Sequence, residues 1–241
     1  MVAVLVAGVA GCASPGDDKE PEQRSFALRG PTLTVDSDDS ALEIVAVDGK
    51  AGRGVRVTRW FEASVVLGGK PEVTWAMKDD RLVLRMHCSG LVADCAARHR
   101  IEVPRGVAVR VEDRDGSVRV RGFRDALSVR TEDGSVHVTD SSGPLSLRSD
   151  DGSVRAEVAS ADVRARTQDG SVDVRLSAVP DRVEAVSDDG SVTLALPPAR
   201  YRLTTATDDG SVHVSVPRDD ASAHVVSVRT QDGKIRVRSA N

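Results

Sequence analysis

From about residue 105 onward, apolar and polar residues alternate with a period of two in short runs, and an acidic corner breaks each run. After each corner the apolar pair falls two and four places beyond its glycine: Val118 and Val120, Val136 and Val138, Val154 and Ala156, Val172 and Val174, Val192 and Leu194, Val212 and Val214, and Ile235 and Val237. Before the corner the same alternation runs through Leu127, Val129 and Thr131, then Leu145, Leu147 and Ser149, then Val163, Ala165 and Thr167, then Leu203, Thr205 and Thr207. A period of two on both arms predicts strand, tight corner and strand in every repeat.

The corners are Asp115-Gly116, Asp133-Gly134, Asp151-Gly152, Asp169-Gly170, Asp189-Gly190, Asp209-Gly210 and Asp232-Gly233, spaced 18, 18, 18, 20, 20 and 23 residues apart. Periods near 20 residues mark solenoids, in which one repeat buries too little apolar surface to offset the entropy of ordering its backbone. Stacking supplies the missing area by pairing each strand with its neighbours about 4.8 Å away. The predicted fold is therefore all-β: a β-solenoid of stacked strand-corner-strand repeats of about 18–23 residues over 105–241, wound right-handed if the parallel strands are joined by crossovers. Residues 31–104 carry an early echo of the corner, Asp48-Gly49-Lys50, and both tryptophans. They read as irregular first coils that cap the stack, because terminal repeats have to cover the core.

The corner aspartate has an ordinary expected task. Its carboxylate accepts backbone N–H groups two residues on, while the glycine takes a positive φ. A calcium ladder would need several oxygen ligands converging on one site and the nine-residue double-glycine repeat, neither of which this chain has. Two places before the corner glycine the row reads Arg114, Glu132, Asp150, Gln168, Asp188, Asp208 and Gln231, with Arg130, Arg148, Arg166 and Arg229 two residues further back. Acidic beside basic rows predict a self-neutralising sheet surface, and the repeated Ser and Thr residues predict hydroxyl ladders along the stack.

Composition narrows the partners. The net charge is -4, and basic residues alternate with acidic ones instead of forming a patch. Only Phe26, Trp60, Phe61, Trp75, Phe123 and Tyr201 are aromatic. Nucleic acid needs concentrated positive charge and, for single strands, stacking aromatics, so it is not the expected partner. No Gly-x-Ser-x-Gly elbow or phosphate loop is present, and a serine repeated at every corner is not a unique nucleophile. The expectation is a non-enzyme without cofactor or metal.

The first residues carry an address. "MVAVLVAGVA", residues 1–11 with the following Gly11, is too short to span a bilayer and reads as the apolar part of a signal peptide. No Lys or Arg precedes it, which leaves open a start upstream of Met1. Val9-Ala10-Gly11-Cys12 resembles the lipobox of bacterial lipoproteins, and that resemblance implies that Cys12 becomes the acylated N-terminus. Residues 12–30 then read as a flexible tether. With Cys12 taken by lipid, Cys88 and Cys95 remain as a pair in an oxidising compartment, where a disulfide is the favoured reading. The alternative, a metal site of His87, Cys88, Cys95 and His99, is weakened because adjacent ligands on a strand point to opposite sides.

Together the lipobox, the cysteine pair, "IEVPRGVAVRVED" and the corners that follow resemble the bacterial putative-adhesin family of β-strand repeat proteins, over roughly residues 31–241. That resemblance implies a surface-displayed lipoprotein linked to the cell envelope, anchored to the outer face of the membrane, with an adhesin-like or scaffolding role. The alternative function is a ligand-binding module, for calcium or an envelope polymer, using the Asp or Arg rows.

Overall fold

The structure, a computed structural model, describes residues 20–48 and 54–240. Its irregular first part contains β1 (Glu22–Ala27), β2 (Thr32–Ser37), β3 (Ser40–Val47), β4 (Gly54–Gly68), β5 (Glu72–Lys78), β6 (Arg81–His87) and β7 (Gly90–Pro104). Regular coils follow as strand pairs: β8 (Ala108–Asp113) with β9 (Val118–Arg121), β10 (Leu127–Thr131) with β11 (Val136–Thr139), β12 (Leu145–Ser149) with β13 (Val154–Val158), and β14 (Asp162–Thr167) with β15 (Val172–Leu176). The last three pairs are β16 (Arg182–Ser187) with β17 (Val192–Leu196), β18 (Arg202–Ala206) with β19 (Val212–Val214), and β20 (Val225–Arg229) with β21 (Ile235–Ser239). The described residues contain no helix.

The first strand of each regular pair joins a ten-stranded sheet and the second an eleven-stranded sheet, and successive coils pair in parallel. Register follows the apolar rows: Val136 lies between Val118 and Val154, and Leu145 between Leu127 and Val163. The two sheets enclose one apolar cluster that runs from Leu28 to Val237. It is built mainly from Val, Leu and Ala because each rung offers only two or three inward places per strand, and β-branched side chains fit that pleat. The all-β solenoid read from the sequence is the fold observed.

Stack order departs from chain order at both ends. The ten-stranded sheet runs β18-β20-β16-β14-β12-β10-β8-β2-β6-β5, and the eleven-stranded sheet runs β1-β4-β7-β3-β9-β11-β13-β15-β17-β21-β19. Thus β20 and β21 sit inside β18 and β19, although they follow them in the chain. Likewise β2 and β3 sit inside β6 and β7. The inner coil is the more apolar one: Val226, Val228, Ile235 and Val237 are buried, whereas Leu203, Thr205 and Val214 of the outer coil are half-buried and Val212 is exposed.

One expectation for the N-terminal part is corrected. Within the proposed tether 12–30, Glu22–Ala27 form β1, paired antiparallel with Arg59 to Gly54 of β4. The ordering follows from Phe26 packing edge-on to Trp75 and Arg24 lying over the same ring, 4.9 Å from its centroid. The corner of the β2–β3 coil is Ser37-Asp38-Asp39-Ser40; of the early echo Asp48-Gly49-Lys50, which follows β3, Gly49 and Lys50 lie outside the described residues.

Candidate functional site

The corners form one edge of the stack. All seven corner aspartates, from Asp115 to Asp232, are exposed along it. Among the described residues no corner carboxylate accepts the backbone N–H two places on; instead the hydroxyl three places before the glycine accepts the glycine's own N–H. Gly152 N–H donates to Ser149 Oγ at 2.8 Å, Gly190 N–H to Ser187 Oγ at 2.9 Å and Gly134 N–H to Thr131 Oγ1 at 3.2 Å. The same hydroxyl donates across to the preceding coil: Ser149 Oγ to Gly134 O at 2.9 Å, Thr167 Oγ1 to Gly152 O at 2.8 Å and Thr230 Oγ1 to Gly190 O at 2.8 Å. These buried hydroxyls therefore bond backbone rather than one another, because the backbone groups of a tight corner have no strand partner and burial makes an unpaired one costly.

Close approach, not φ, is why the corners need glycine. Gly106 and Gly122 are the described glycines with positive φ, and neither is a corner. A Cβ on Gly134 would lie 2.0 Å from Gly116 O, one on Gly152 2.1 Å from Gly134 O, and one on Gly233 2.2 Å from Gly190 O. Each corner nests its carbonyl where the next coil's side chain would be.

One member of the hydroxyl column is a carboxylate. Asp113 stands three places before Gly116, where the other corners carry Thr131, Ser149, Thr167, Ser187, Thr207 and Thr230. It is 7% exposed, and burial raises its carboxyl from the ordinary range to about 7. Ser37 and the Gly116 N–H offset part of that, although neither reaches good hydrogen-bond geometry, and the carboxylates of Asp115 and Asp39 push it further up. Near the N-terminal end of the stack, His99 is fully buried with neither ring nitrogen bonded. Burial, and secondarily the Arg59 guanidinium, lower it to about 4, so it is a neutral core residue.

The sequence-predicted metal alternative dissolves in this geometry. Cys88 and Cys95 are joined as a disulfide with Cα atoms 6.2 Å apart, His87 is exposed, and His99 lies in the core against Trp75. No cluster of three or more His, Cys, Asp or Glu suited to a metal occurs among the described residues. Cys12 lies outside the described residues.

On the outer face of the ten-stranded sheet the charged rows neutralise unevenly. Arg148 and Arg130 both reach Asp150, at 2.9 and 3.3 Å, and Arg114 lies 3.8 Å from Glu132. Arg166 and Arg229 make no ion pair with any described residue, because Gln168 and Gln231 stand where the neighbouring coils carry an acid. Between them the row drops to Val186, which floors a groove of about 600 Å³. Arg166 and Arg229 stand on strands two spacings apart, about 9.6 Å, and Arg182 and the acids Glu184, Asp188 and Asp208 also line the groove. The sequence showed both glutamines, but only the register places their arginines on either side of one valine.

A stack of parallel coils with nested corner carbonyls is a specific architecture, and the sequence profile described as Toastrack DUF4097 matches residues 105–238, more than half of the chain. The chain belongs to the Toastrack DUF4097 family. Two solved structures resemble the Toastrack protein over nearly its whole length. One is a "putative adhesin" from Bacteroides fragilis NCTC 9343, 15% identical, covering 91% of this chain and 97% of that one with a TM-score of 0.55. The other is a "putative cell adhesion protein" from Clostridium sporogenes ATCC 15579, 10% identical, covering 92% and 100% with a TM-score of 0.35. No curated protein matches the chain. At 15% identity the first likeness shows a shared fold.

Proposed function

We propose that this Toastrack protein is a non-enzymatic lipoprotein, held by acylated Cys12 on the outer face of the cell membrane, that displays its solenoid as an adhesin-like interaction surface or envelope scaffold. The observation that carries the reading is the outer surface itself. Its described side chains repeat in rows along a rigid stack, so that what one coil offers the next offers again, about 4.8 Å away. Such a surface suits an extended partner better than one reacting molecule. The adhesin name of the Bacteroides structure is compatible with that role. Fractionation and membrane pulldown of the wild type and Cys12→Ala test it. Wild type in the membrane fraction with a captured envelope partner, and Cys12→Ala released, is the expected result; a Cys12→Ala form that stays with the membrane removes the anchor.

One observation favours a second reading, a binding module for an anionic envelope polymer. Arg166 and Arg229, neither in an ion pair with a described residue, stand on either side of the Val186 notch, although Glu184, Asp188 and Asp208 line the same groove. Calorimetric titration with a polyanionic wall polymer distinguishes the two: binding lost in Arg166→Ser/Arg229→Ser supports the module, and binding unchanged in that variant refutes it.

A further inference from the structure

The strands β4 and β7 run past the corner edge. Ala97 of β7 pairs with Ser40 at corner level, and from there residues 90–96 and their antiparallel partners in β4 continue as a projecting ribbon. Its end collects apolar surface. Leu91 is 80%, Leu67 79% and Val66 55% exposed, the greatest values for large apolar side chains among the described residues. Leu67 also has a φ of 51°, a left-handed conformation that a leucine adopts only at a cost. Neither packing nor backbone preference accounts for leucine at that place, where Gly or Asn would be at ease.

The tip is also held firmly. The Cys88–Cys95 disulfide ties the turn before β7 to β7 itself. Gly68 and Gly90 let the two strands close on each other, since a Cβ on Gly68 would fall 2.2 Å from Ser89 O. Rigid exposed leucines on a turn lose little freedom when they enter an apolar medium.

The chain's own N-terminal segment says where that medium lies. Strand β1 runs antiparallel to β4 with Glu22 opposite Arg59, so the N-terminal end of β1 points to the same edge from which the arm projects. From Arg59 to Leu67 is eight residues of strand, about 26 Å. From Glu22 back to Cys12 is ten residues, a reach of at most about 35 Å. An acyl chain on Cys12 and the arm tip can therefore meet one plane.

We propose that the tip of the β4–β7 arm is a second membrane contact, in which Val66, Leu67 and Leu91 enter the headgroup and acyl boundary of the bilayer that holds the lipid anchor. For its anchor this rests on the lipoprotein reading above. A second contact adds to the membrane affinity that acyl chains on Cys12 supply. Lys70, exposed in the turn after β4 and without an ion pair to any described residue, faces the phosphates, while Glu72 lies one step further from the tip beside His87. The arm also acts as a spacer. Its seven residues beyond corner level hold the row of corner aspartates about 23 Å from the tip, well beyond the Debye length of about 8 Å, so an anionic bilayer does not repel them.

The experiment uses the full chain carrying Leu91→Trp, reconstituted in vesicles of phosphatidylethanolamine and phosphatidylglycerol with brominated acyl chains, and the same chain carrying Val179→Trp on the opposite edge as reference. Val66→Trp serves as a second tip probe, and circular dichroism checks the fold of each. With the emission of the native Trp60 and Trp75 subtracted by means of the unsubstituted chain, the expected result is quenching of both tip probes by about twofold or more relative to Val179→Trp, as burial within the first 5–10 Å of the boundary would give. Equal quenching at the two edges overturns the proposal. Mass analysis of Cys12 separates the two claims: lipid present without tip quenching refutes the arm alone, and lipid absent with tip quenching refutes the anchor alone. An unquenched tip together with a dimer in sedimentation that Leu67→Ser/Leu91→Ser abolishes assigns the tip to a second copy and overturns the membrane contact.

Discussion

Gly152→Ala tests the nested corner most directly. At an ordinary backbone angle a Gly→Ala change stabilises by about 0.4–1 kcal/mol through the unfolded chain. Here the new Cβ would lie 2.1 Å from Gly134 O and 2.5 Å from its carbonyl carbon. A comfortable carbon-to-oxygen contact is about 3.3–3.6 Å, so the coils must part by about 1.2 Å or more at the corner. That parting stretches the inter-coil bond Ser149 Oγ→Gly134 O, now 2.9 Å, beyond bonding range, and the new Cβ would also crowd Ser149 Oγ at 2.7 Å. One lost hydrogen bond at about 1 kcal/mol and an overpacking cost of about 1–3 kcal/mol give a destabilisation of about 2–4 kcal/mol. Urea unfolding followed by circular dichroism measures it, with Gly152→Asn alongside. If positive φ were the reason for glycine, Asn would be tolerated better than Ala; close approach predicts that Asn is no better. A loss below about 1 kcal/mol for Gly152→Ala, or clear rescue by Asn, would refute the nesting argument.

The remaining predictions concern the column, its odd member and the ends. Asp113 binds its proton more tightly folded, at about 7, than unfolded, so its contribution is full below about pH 4 and is lost as pH rises through 7. Asp113→Thr should therefore gain on the wild type by on the order of 2–4 kcal/mol between pH 4 and 8, and a pH-independent difference would refute the burial account. Ser149→Ala leaves the Gly152 N–H unpaired in a buried corner and should cost about 1–3 kcal/mol in the same urea assay, with Ser149→Thr close to wild type. Deleting residues 134–169, two whole coils, should leave a shorter protein that still unfolds cooperatively. Truncation after Pro217 should instead release β18 and β19, because it removes β20 and β21 from between them and the stack; hydrogen exchange over 202–214 reads this out.

The strand rows were legible because each is fixed by a local period of two and by burial on one side only. Val118 to Leu194, with Ile235 and Val237, fall inward as their alternation requires, and only the outermost pair, Val212 and Val214, stays exposed or half-buried. The reason for each corner glycine was not legible, since it depends on a carbonyl 18 or more residues away that no local pattern reports. Coil order at the C-terminal end was also hidden, because near-identical repeats carry no address. The signal that could have revealed it is composition: Val226 and Val228 suit an inner slot better than Leu203 and Thr205. Asp113 was visible to column alignment as the one acid among hydroxyls, yet its burial needed the second sheet. The arm could have been suspected from β4 and β7 running for 15 residues each where regular strands run for three to six. The Arg166 and Arg229 notch needed the skipped register of β16 between β14 and β20.

The interleaved ends set the order in which the molecule can be completed. A chain emerging from its N-terminus can lay down coils one upon another as far as β16 and β17, but β18 and β19 then have no strand to pair with until β20 and β21 arrive. During that interval the growing face exposes an unpaired parallel edge, the feature most prone to capture by another chain. Closure is therefore a late, non-local event with a high loop-entropy barrier. Once made, it works as a latch. A protease or a mechanical load that takes hold beyond β21 cannot peel off an outermost layer, because the strand it grips is clasped by β17 on one side and β19 on the other.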